Sequence, residues 1–195
     1  MSAHSPPARA ISVDVARTLP DLLEVMAVRA LVYMGEQKCP YEEEFDGNDY
    51  AGATHLIARA GMEPVGAMRM RWFADFGKVE RVALRHEQRG REAAAALIEA
   101  ACDLARRKGY RIILGHIQAR LLPFWRRYGQ VRPRPGRPRF VFSDHDYVEV
   151  IRRLDRPDNA ISLETPAMVL LRPEGAWDEP GVLDRSVERA APMAP

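Results

Sequence analysis

The segment KVERVALRHEQRGREAAAALIEAA, residues 78–101, decides the fold. It begins with an apolar, β-branched run that is typical of a strand, and it passes through a charged turn that contains Gly90. The alanine-rich sequence after the turn predicts a helix over about residues 93–107, ended by Gly109. A tight turn between a strand and a helix exposes backbone N–H groups, and such groups can bind an anion.

The composition of this turn supports an anion site, although a plain connecting turn with surface arginines would look similar. Gly90 permits close approach of the backbone, Arg89 and Arg91 add positive charge, and three small residues begin the helix, namely Ala93, Ala94 and Ala95. Glu92 suits the positive end of the helix dipole. It competes with a phosphate only if its side chain points into the turn.

The whole chain has the composition of an ordinary globular protein and is long enough for one domain. It has 195 residues, 47% hydrophobic and 29% charged, and a formal net charge of +2. This charge gives no support for a nucleic-acid or membrane partner, and no apolar run approaches the roughly 20 residues that span a bilayer. Cys39 and Cys102 have no metal-ligand spacing, so we expect reduced thiols and a cytoplasmic location.

Residues outside the deciding segment predict alternating strands and helices. Alternation predicts a strand at 11–17, and Thr18 with Pro20 predicts the start of a helix that covers 21–34. The further expectations are a loop at 39–52, a hairpin at 54–60 and 65–73, a strand at 110–117, a short helix at 121–129, irregular chain at 132–139, a strand pair or bent strand at 140–151, an edge strand at 167–173 and a tail from Trp177. This order predicts one mixed α/β domain.

The ordered set of motifs resembles the GNAT superfamily of N-acetyltransferases. The matching stretches are RVALRHEQRGREAAAALIEAA (81–101), PFWRRYG (123–129), EQKCPYEEEFDGNDYAGATHLIA (36–58), PVGAMRMR (64–71) and HIQ (116–118). They resemble a branch that has an acidic loop before its second strand. The resemblance implies a mixed, mostly antiparallel sheet flanked by helices. It also implies an acyl-CoA N-acyltransferase domain at 11–154. The composition of MSAHSPPARA predicts a disordered lead at 1–10, and rising proline and charge predict a partly irregular C-terminal extension at 155–195.

The resemblance further implies that acetyl-CoA is the acyl donor, with its pyrophosphate at the turn. The family motif R/Q-x-x-G-x-G/A runs here from Arg89 to Ala94, with Glu92 in place of the first family glycine. The implied cofactor-binding residues are Val82, Ala83, Leu84, Arg89, Gly90, Arg91, Glu92, Ala93, Ala94, Phe124 and Trp125. The acceptor would be a primary amine of a small molecule or peptide.

Acetyl transfer to an amine needs a base, stabilisation of an oxyanion and departure of a thiolate. Glu80 is one candidate base, and it could instead be a strand carboxylate paired with Arg69 or Arg81. His116 is the other candidate, and it could instead be a hydrogen-bonded core histidine.

The proton donor to sulfur is less evident from the sequence. The family position that often carries a tyrosine acid is Trp125 here, and an indole N–H does not transfer a proton at neutral pH. Tyr128 lies three residues further along the same helix face and could take this role, or it could be a partly buried tyrosine at the helix end.

Two charged loops have both functional and structural interpretations. The carboxylates Glu42, Glu43, Glu44, Asp46 and Asp49 could attract a cationic amine or form a solvated surface. The arginines of RPRPGRPR, residues 132–139, could dock an acidic partner or be solvated. The spacing of SDHDY, residues 143–147, fits no metal site that we recognise, so no metal is expected.

Three functional hypotheses remain open at this point. The first is acetyl-CoA-dependent N-acetyl transfer. The second is an acyltransferase of the homoserine-lactone-synthase type with a carrier-protein donor, which Arg29, Asp46, Asp49 and Arg69 resemble in arrangement. The third is a non-catalytic CoA-binding or partner-binding module. A homodimer is compatible with each hypothesis, and nucleic acid with none, since base-stacking aromatics are not interleaved with the basic residues.

Overall fold

The computed structural model describes residues 10–89 and 91–186. Gly90, at the centre of the predicted anion-binding turn, lies outside the described residues, as does the predicted lead before Ala10. The side chain of Arg91 is likewise outside this description.

Within residues 10–89 and 91–186, eight strands form one sheet. Their bounds are β1 (Ile11–Val15), β2 (Thr54–Ala60), β3 (Glu63–Trp72), β4 (Gly77–Leu84), β5 (Ile112–Gln118), β6 (Arg132–Pro133), β7 (Phe140–Phe142) and β8 (His145–Arg153). The order across the sheet is β1-β2-β3-β4-β5-β8-β6, and β7 also pairs with β8. Every pairing is antiparallel except that of β4 with β5. The predicted mixed, mostly antiparallel α/β architecture is therefore confirmed.

The helices lie on both faces of this sheet. Their bounds are α1 (Leu19–Arg29), a π-helical continuation (Ala30–Glu36), α2 (Tyr41–Glu44), α3 (Arg91–Arg107), α4 (Leu122–Tyr128) and α5 (Ala167–Leu170), with 3-10 turns at His86–Gln88 and Ala119–Leu121. The predicted start of α1 is confirmed by a capping box. The Asp21 N–H donates to Thr18 Oγ1 at 3.3 Å, and the Thr18 N–H donates to Asp21 Oδ2 at 3.0 Å.

Side chains that alternate along β2 and β3 supply the core of each face. On one face, Leu56, Met68 and Met70 pack with Leu97 of α3. On the other face, Ile57, Ala67 and Ala83 pack with Val25, Val28 and Val32 of the first helix. Full burial of a side chain such as Leu97 contributes about 1.5–3 kcal/mol, so α3 is firmly held against the sheet.

The close approach of α3 to the sheet depends on Gly66. A Cβ at this position would lie 2.7 Å from Leu84 Cδ2 and 3.1 Å from Leu97 Cδ1, which are contacts that a real side chain cannot make without displacing its neighbours. Gly66 therefore sets the distance between β3 and the helix that follows the predicted anion-binding turn.

Four expectations from the sequence need correction. The predicted loop at 39–52 contains α2, because Pro40 begins a short helix in which the Glu44 N–H donates to the Pro40 carbonyl at 3.1 Å. The predicted irregular stretch at 132–139 contains β6, where Pro133 is tolerated at a sheet edge. The predicted edge strand at 167–173 is wrong, because Pro166 precedes a helical turn, α5.

The fourth correction concerns the predicted tail from Trp177. Arg172 donates to the Trp177 carbonyl at 2.6 Å and pairs with Asp184 at 2.9 Å, so this stretch is tied down at least to Ser186. Upstream, Glu174 accepts a hydrogen bond from Thr54 at 2.9 Å and pairs with Lys108. The extension thus joins the sheet to the end of α3. The predicted domain boundary between residues 154 and 155 stays a prediction.

Candidate active site

A gap between β4 and β5 forms the main cleft. The two strands pair only from Gly77 with Ile113 to Val79 with Gly115, and beyond this point they separate. A β-bulge in β4 accompanies the separation, because Glu80 pairs with Arg69 and Ala83 pairs with Ala67. Two residues of β4 thus oppose one residue of β3. Arg81, inside the bulge, has a φ of 49°, which is unusual for a residue with a side chain.

Two adjoining cavities fill this gap. The outer cavity has a volume of about 700 Å³ and the inner cavity about 170 Å³. Both are lined by the same six residues where they meet, namely Gln37, Val82, Ile98, Arg120, Leu121 and Trp125. The cavities therefore form one continuous cleft that runs along β4.

The outer cavity collects most of the predicted cofactor-binding residues. Those that line it are Val82, Leu84, Arg89, Ala94, Phe124 and Trp125. Ala93 is buried, and Ala83 is buried on the opposite face of the sheet, where it packs with the first helix. Any contact of Ala83 with a ligand in the cleft would therefore come from its backbone.

Arg89 and Glu92 lie on the two sides of Gly90 in the sequence. The side chain of Glu92 is exposed at the start of α3. Arg89 donates to the Leu84 carbonyl at 3.2 Å and pairs with Glu36 at the end of the π-helix. These contacts place the guanidinium of Arg89 at the mouth of the outer cavity.

The backbone of β4 presents polar groups to the cleft. The Arg85 N–H donates to the Val65 carbonyl at 3.0 Å, and N–H groups alternate sides along a strand, so the Leu84 N–H faces away from β3. The Val82 carbonyl accepts a hydrogen bond from the Tyr33 hydroxyl at 2.9 Å. Burial raises the pKa of Tyr33, so this hydroxyl stays protonated at neutral pH.

Glu80 lines the inner cavity and is held in ion pairs. Its Oε2 accepts from Arg69 at 2.7 Å, and its Oε1 lies 2.5 Å from Lys78 Nζ. Desolvation raises the pKa of Glu80, but the hydrogen bonds and charges of Lys78 and Arg69 outweigh it and hold the pKa below its usual value. Of the two partners that the sequence suggested, Arg69 is the one that Glu80 contacts, and a carboxylate so paired is a weak base.

His116 lines the same cavity and contacts Glu149 of β8. Its Nε2 lies 3.1 Å from Glu149 Oε2, and the edge of the ring packs against Phe140 at a centroid distance of 5.1 Å. Desolvation raises the pKa of Glu149, but hydrogen bonds from His116 and Arg134 outweigh it and lower the pKa overall. Glu149 therefore remains ionised at neutral pH and orients the imidazole through Nε2.

The aromatic residues of α4 form the outer wall. Trp125 lines both cavities, whereas Tyr128 lines only the outer one and packs against Phe124 at a centroid distance of 4.9 Å. Tyr128 is half-buried. Among the three predicted catalytic residues, the structure thus brings Glu80 and His116 together in the inner cavity and places Tyr128 further out.

Sequence reasoning missed several residues of the cleft. Tyr33, Gln37, Arg120 and Tyr147 line it, and Glu149 orients His116. Tyr33 and Gln37 lie in or directly after the predicted first helix, and Arg120 follows the HIQ motif, so their neighbourhood was visible in the sequence. By contrast, Tyr147 and Glu149 reach the gap only through the pairing of β8 with β5.

Part of the predicted acidic loop is buried beneath the cleft. The side chains of Arg29 and Glu44 are fully buried and joined at 2.6 Å, while Asp49 contacts Arg29 at 2.5 Å and Arg69 at 2.9 Å. Asp46 contacts Arg69 at 2.7 Å. The residues that resembled the homoserine-lactone-synthase arrangement therefore meet in one ion-pair network, which we call the buried network (Arg29, Glu44, Asp46, Asp49, Arg69 and Glu80).

The described part of the chain contains neither a metal-binding cluster nor a membrane-spanning helix. Across residues 10–89 and 91–186, no cluster of three or more His, Cys, Asp or Glu side chains is arranged to hold a metal ion. In the same part of the chain, no helix is both long and apolar enough to cross a membrane. Cys39 is half-buried and Cys102 is buried, and both are free thiols.

Known proteins share the family and the fold of this chain. Residues 22–129 match the model of the acetyltransferase (GNAT) family. The N-acetyltransferase YjcF of Bacillus subtilis, whose function is uncharacterised, is 28% identical over 115 residues, which cover 59% of this chain and 81% of YjcF. These matches confirm the resemblance inferred from the motifs and the predicted enzyme class, an N-acetyltransferase.

Solved structures share the architecture. An acyl-CoA N-acyltransferase from Pseudomonas aeruginosa superposes with a TM-score of 0.64 and 24% identity, over 74% of this chain and 99% of the other. A GNAT family acetyltransferase from Elizabethkingia anophelis with acetyl-CoA bound gives a TM-score of 0.55 and 14% identity, over 74% and 98% of the two chains.

Proposed function

Because the chain belongs to the GNAT family of acetyltransferases, we propose that it transfers an acetyl group from acetyl-CoA to a primary amine of a small molecule or peptide. The observation that carries the proposal is the continuous cleft between β4 and β5. One end lies beside Arg89 and Ala94 at the start of α3, and the other end contains His116 and Glu80. A long, thin donor with an anionic end and a reactive end suits this shape.

In this proposal, the donor lies along the outer cavity. The pyrophosphate sits at the turn from Arg89 to Ala94, where the guanidinium of Arg89 and the first N–H groups of α3 are available. The pantetheine arm follows β4 and receives a hydrogen bond from the Leu84 N–H. Phe124 and Trp125 cover it from α4. The acetyl-CoA complex of the Elizabethkingia relative supports such a donor in this fold.

We assign the role of general base to His116. The substrate ammonium loses one proton to the imidazole, and the neutral amine nitrogen then forms a C–N bond with the thioester carbonyl carbon. The same nitrogen loses its second proton to solvent as the tetrahedral intermediate collapses. The C–S bond breaks and CoA departs as a thiolate, which takes up a proton from solvent or from an acid. Since Nε2 of His116 contacts Glu149, Nδ1 is the nitrogen available for the amine.

The other predicted catalytic residues take supporting roles in this scheme. Glu80 remains a candidate base, but its lowered pKa makes it the weaker one, and its charge also balances Arg69. Tyr128 remains a candidate donor to the leaving sulfur. A thiol titrates near about 8.5, so the thiolate leaves readily and removal of the donor has a modest cost.

The proposal is tested by calorimetric titration with acetyl-CoA and CoA, followed by a screen of primary amines with detection of released CoA. We expect donor binding and turnover with at least one amine. In His116→Gln, turnover falls by about 10²–10⁴-fold, the usual contribution of general base catalysis, while the Kd for acetyl-CoA stays within a few-fold. Glu80→Gln is the matched control and keeps more activity.

Each contrary outcome identifies a different hypothesis. Binding without turnover across the screen favours a non-catalytic CoA-binding module. No binding to either compound favours a carrier-protein donor, and an acylated carrier protein is then the donor to test. Normal turnover in His116→Gln together with a large loss in Glu80→Gln would assign the base to Glu80 instead. The predicted homodimer and cytoplasmic location stay predictions.

A further inference from the structure

The inner cavity has two chemically distinct walls. Successive residues of β4 point to opposite faces of the sheet, so Glu80 lies with His116 on the polar side and Val79 packs with the cluster of α3. The wall against α3 is apolar and is formed by Met68, Val79, Ile98, Cys102, Ile113 and Val150. We call the part of the cavity along this wall the inner chamber.

The inner chamber is closed at the side of α3. Ile98, Cys102 and Val150 retain only 4%, 2% and 1% of their exposure. Burial raises the pKa of Cys102 to about 11, so its thiol is neutral and behaves as a small apolar group. Arg152 also lines the cavity, and its charge is balanced by Glu99, whose Oε1 lies 2.9 Å from Arg152 Nη1.

The geometry of a thioester determines what would face this chamber. The reacting carbonyl carbon bears a sulfur, an oxygen and an acyl chain. The sulfur continues into the pantetheine arm along the outer cavity, and the amine approaches from the side of His116. The acyl chain is then the substituent directed toward the apolar wall, where burial of methylene groups is favourable.

We propose that the inner chamber binds the acyl chain of the donor, so that CoA thioesters with acyl chains of up to about four to six carbons are also donors and bind more tightly than the acetyl-CoA of the proposed function. This inference rests on the proposed function, because it requires a CoA thioester in the cleft. The upper limit of this size follows from the volume of about 170 Å³ for the whole inner cavity, which the chamber shares with the side of His116. An apolar cavity of about 150 Å³ is known to hold benzene, which has six carbons. Acetyl, with one methyl group, would leave most of the chamber empty.

Titration calorimetry with CoA, acetyl-CoA, butanoyl-CoA and hexanoyl-CoA tests the inference. A buried methylene strengthens binding by roughly three- to four-fold. We therefore expect hexanoyl-CoA to bind at least about ten-fold more tightly than acetyl-CoA. Equal or weaker binding of hexanoyl-CoA overturns the chamber assignment but leaves the proposed function standing. Failure of all four compounds to bind overturns the proposed function itself.

Variants that fill the chamber test its location. Cys102→Leu adds volume from α3, and the ratio of hexanoyl-CoA to acetyl-CoA affinity should fall toward one. Gly115→Ala adds a methyl from β5, where its Cβ would meet Val150 Cγ2 at an ordinary 3.4 Å, so it carries the test if Cys102→Leu does not fold. The matched control is Cys39→Leu, the same substitution outside the cavity, which should leave the ratio unchanged. An unchanged ratio in both filling variants would overturn the location.

Discussion

Two charged segments that contain proline, residues 40–49 and 132–139, end in opposite environments. The first carries five carboxylates, and two of them, Glu44 and Asp49, are almost completely buried. The second carries four arginines, all of them exposed, and two of them share the carboxylate of Glu149. Charge density is similar in the two segments, so it does not decide which one enters the core.

The difference lies in the partners that each segment meets. Arg29 of α1 and Arg69 of β3 project to the same side of the sheet, behind the acidic segment, and have almost no exposure. Burial of a guanidinium without a carboxylate costs much free energy, and its planar fork can donate hydrogen bonds to several carboxylates at once. The basic segment finds one carboxylate on the adjacent β8 and otherwise stays in water. Burial of a charged loop thus requires matching charges already fixed on regular elements.

Arg69→Met, a change in the buried network behind the acidic segment, should lower the unfolding free energy more than any other change considered below. The change removes the cation shared by the buried Asp49, the half-buried Glu80 and the exposed Asp46, and the expected loss in unfolding free energy is about 3–5 kcal/mol. Urea denaturation followed by circular dichroism measures it. A loss below about 1 kcal/mol would mean that the buried network does not depend on Arg69.

A pair of isosteric changes should separate two carboxylates of the same network. Desolvation raises the pKa of Asp49, but hydrogen bonds and charges from Arg29 and Arg69 outweigh it, so the pKa is lowered overall. Desolvation also raises the pKa of Glu44, and there it dominates over Arg29. Asp49→Asn should therefore cost about 1.5–3 kcal/mol at pH 7, the range for hydrogen bonds to charged groups, and Glu44→Gln should cost less.

The pH dependence of the unfolding free energy in the same two variants tests the direction of each pKa shift. A carboxyl with a lowered folded pKa stabilises the protein above its unfolded pKa, near about 4, and this contribution is lost as pH falls through the folded value. The difference in unfolding free energy between the wild type and Asp49→Asn should therefore become smaller below about pH 4. A carboxyl with a raised folded pKa stabilises the protein most below its unfolded pKa. The unfolding free energy of Glu44→Gln, relative to that of the wild type, should therefore be higher at pH 7 than at pH 4. Parallel pH profiles for both variants would contradict this reasoning.

Arg137→Gln should have the smallest effect. Arg137 is exposed, and its contact with Glu149 is 3.5 Å, so its removal should change the unfolding free energy by no more than about 0.5 kcal/mol. The same urea experiment measures it and serves as the control for Arg69→Met. A larger change would show that the basic segment contributes to stability as the acidic one does.

The fate of particular residues shows how far the sequence predicts the fold. Local signals were sufficient where one segment decides its own structure, as in the alternation of 11–17 and the capping box at Thr18. They failed at 167–173, where an apolar run suggested a strand and the chain instead closes one helical turn after Pro166. Short apolar runs are ambiguous between these two states.

The residues of the candidate site also divide into those that the sequence predicts and those that depend on distant partners. The cleft is lined by Val82, Leu84, Ala94 and Trp125, for which the motif order predicts a cofactor-binding role, and that role stays a prediction. The burial of Glu44 and the contact of His116 with Glu149 depend on partners 15 and 33 residues away in sequence. No local sequence pattern predicts such pairs, because only strand register and helix placement bring the two residues together.

The π-helical continuation of α1 has a genetic consequence. In this stretch the Gln37 N–H bonds the Val32 carbonyl, five residues back, at 3.1 Å, so each turn holds more residues than an α-helix would. The same residues wound as an α-helix, at about 100° per residue, would turn Gln37 away from the cleft. Loss of one codon within the stretch, for example that of the exposed Leu31, would instead remove the extra residue and let the segment close as an α-helix with the later side chains still facing the same way. The wall of the cleft should therefore survive a one-residue deletion at this point of the chain.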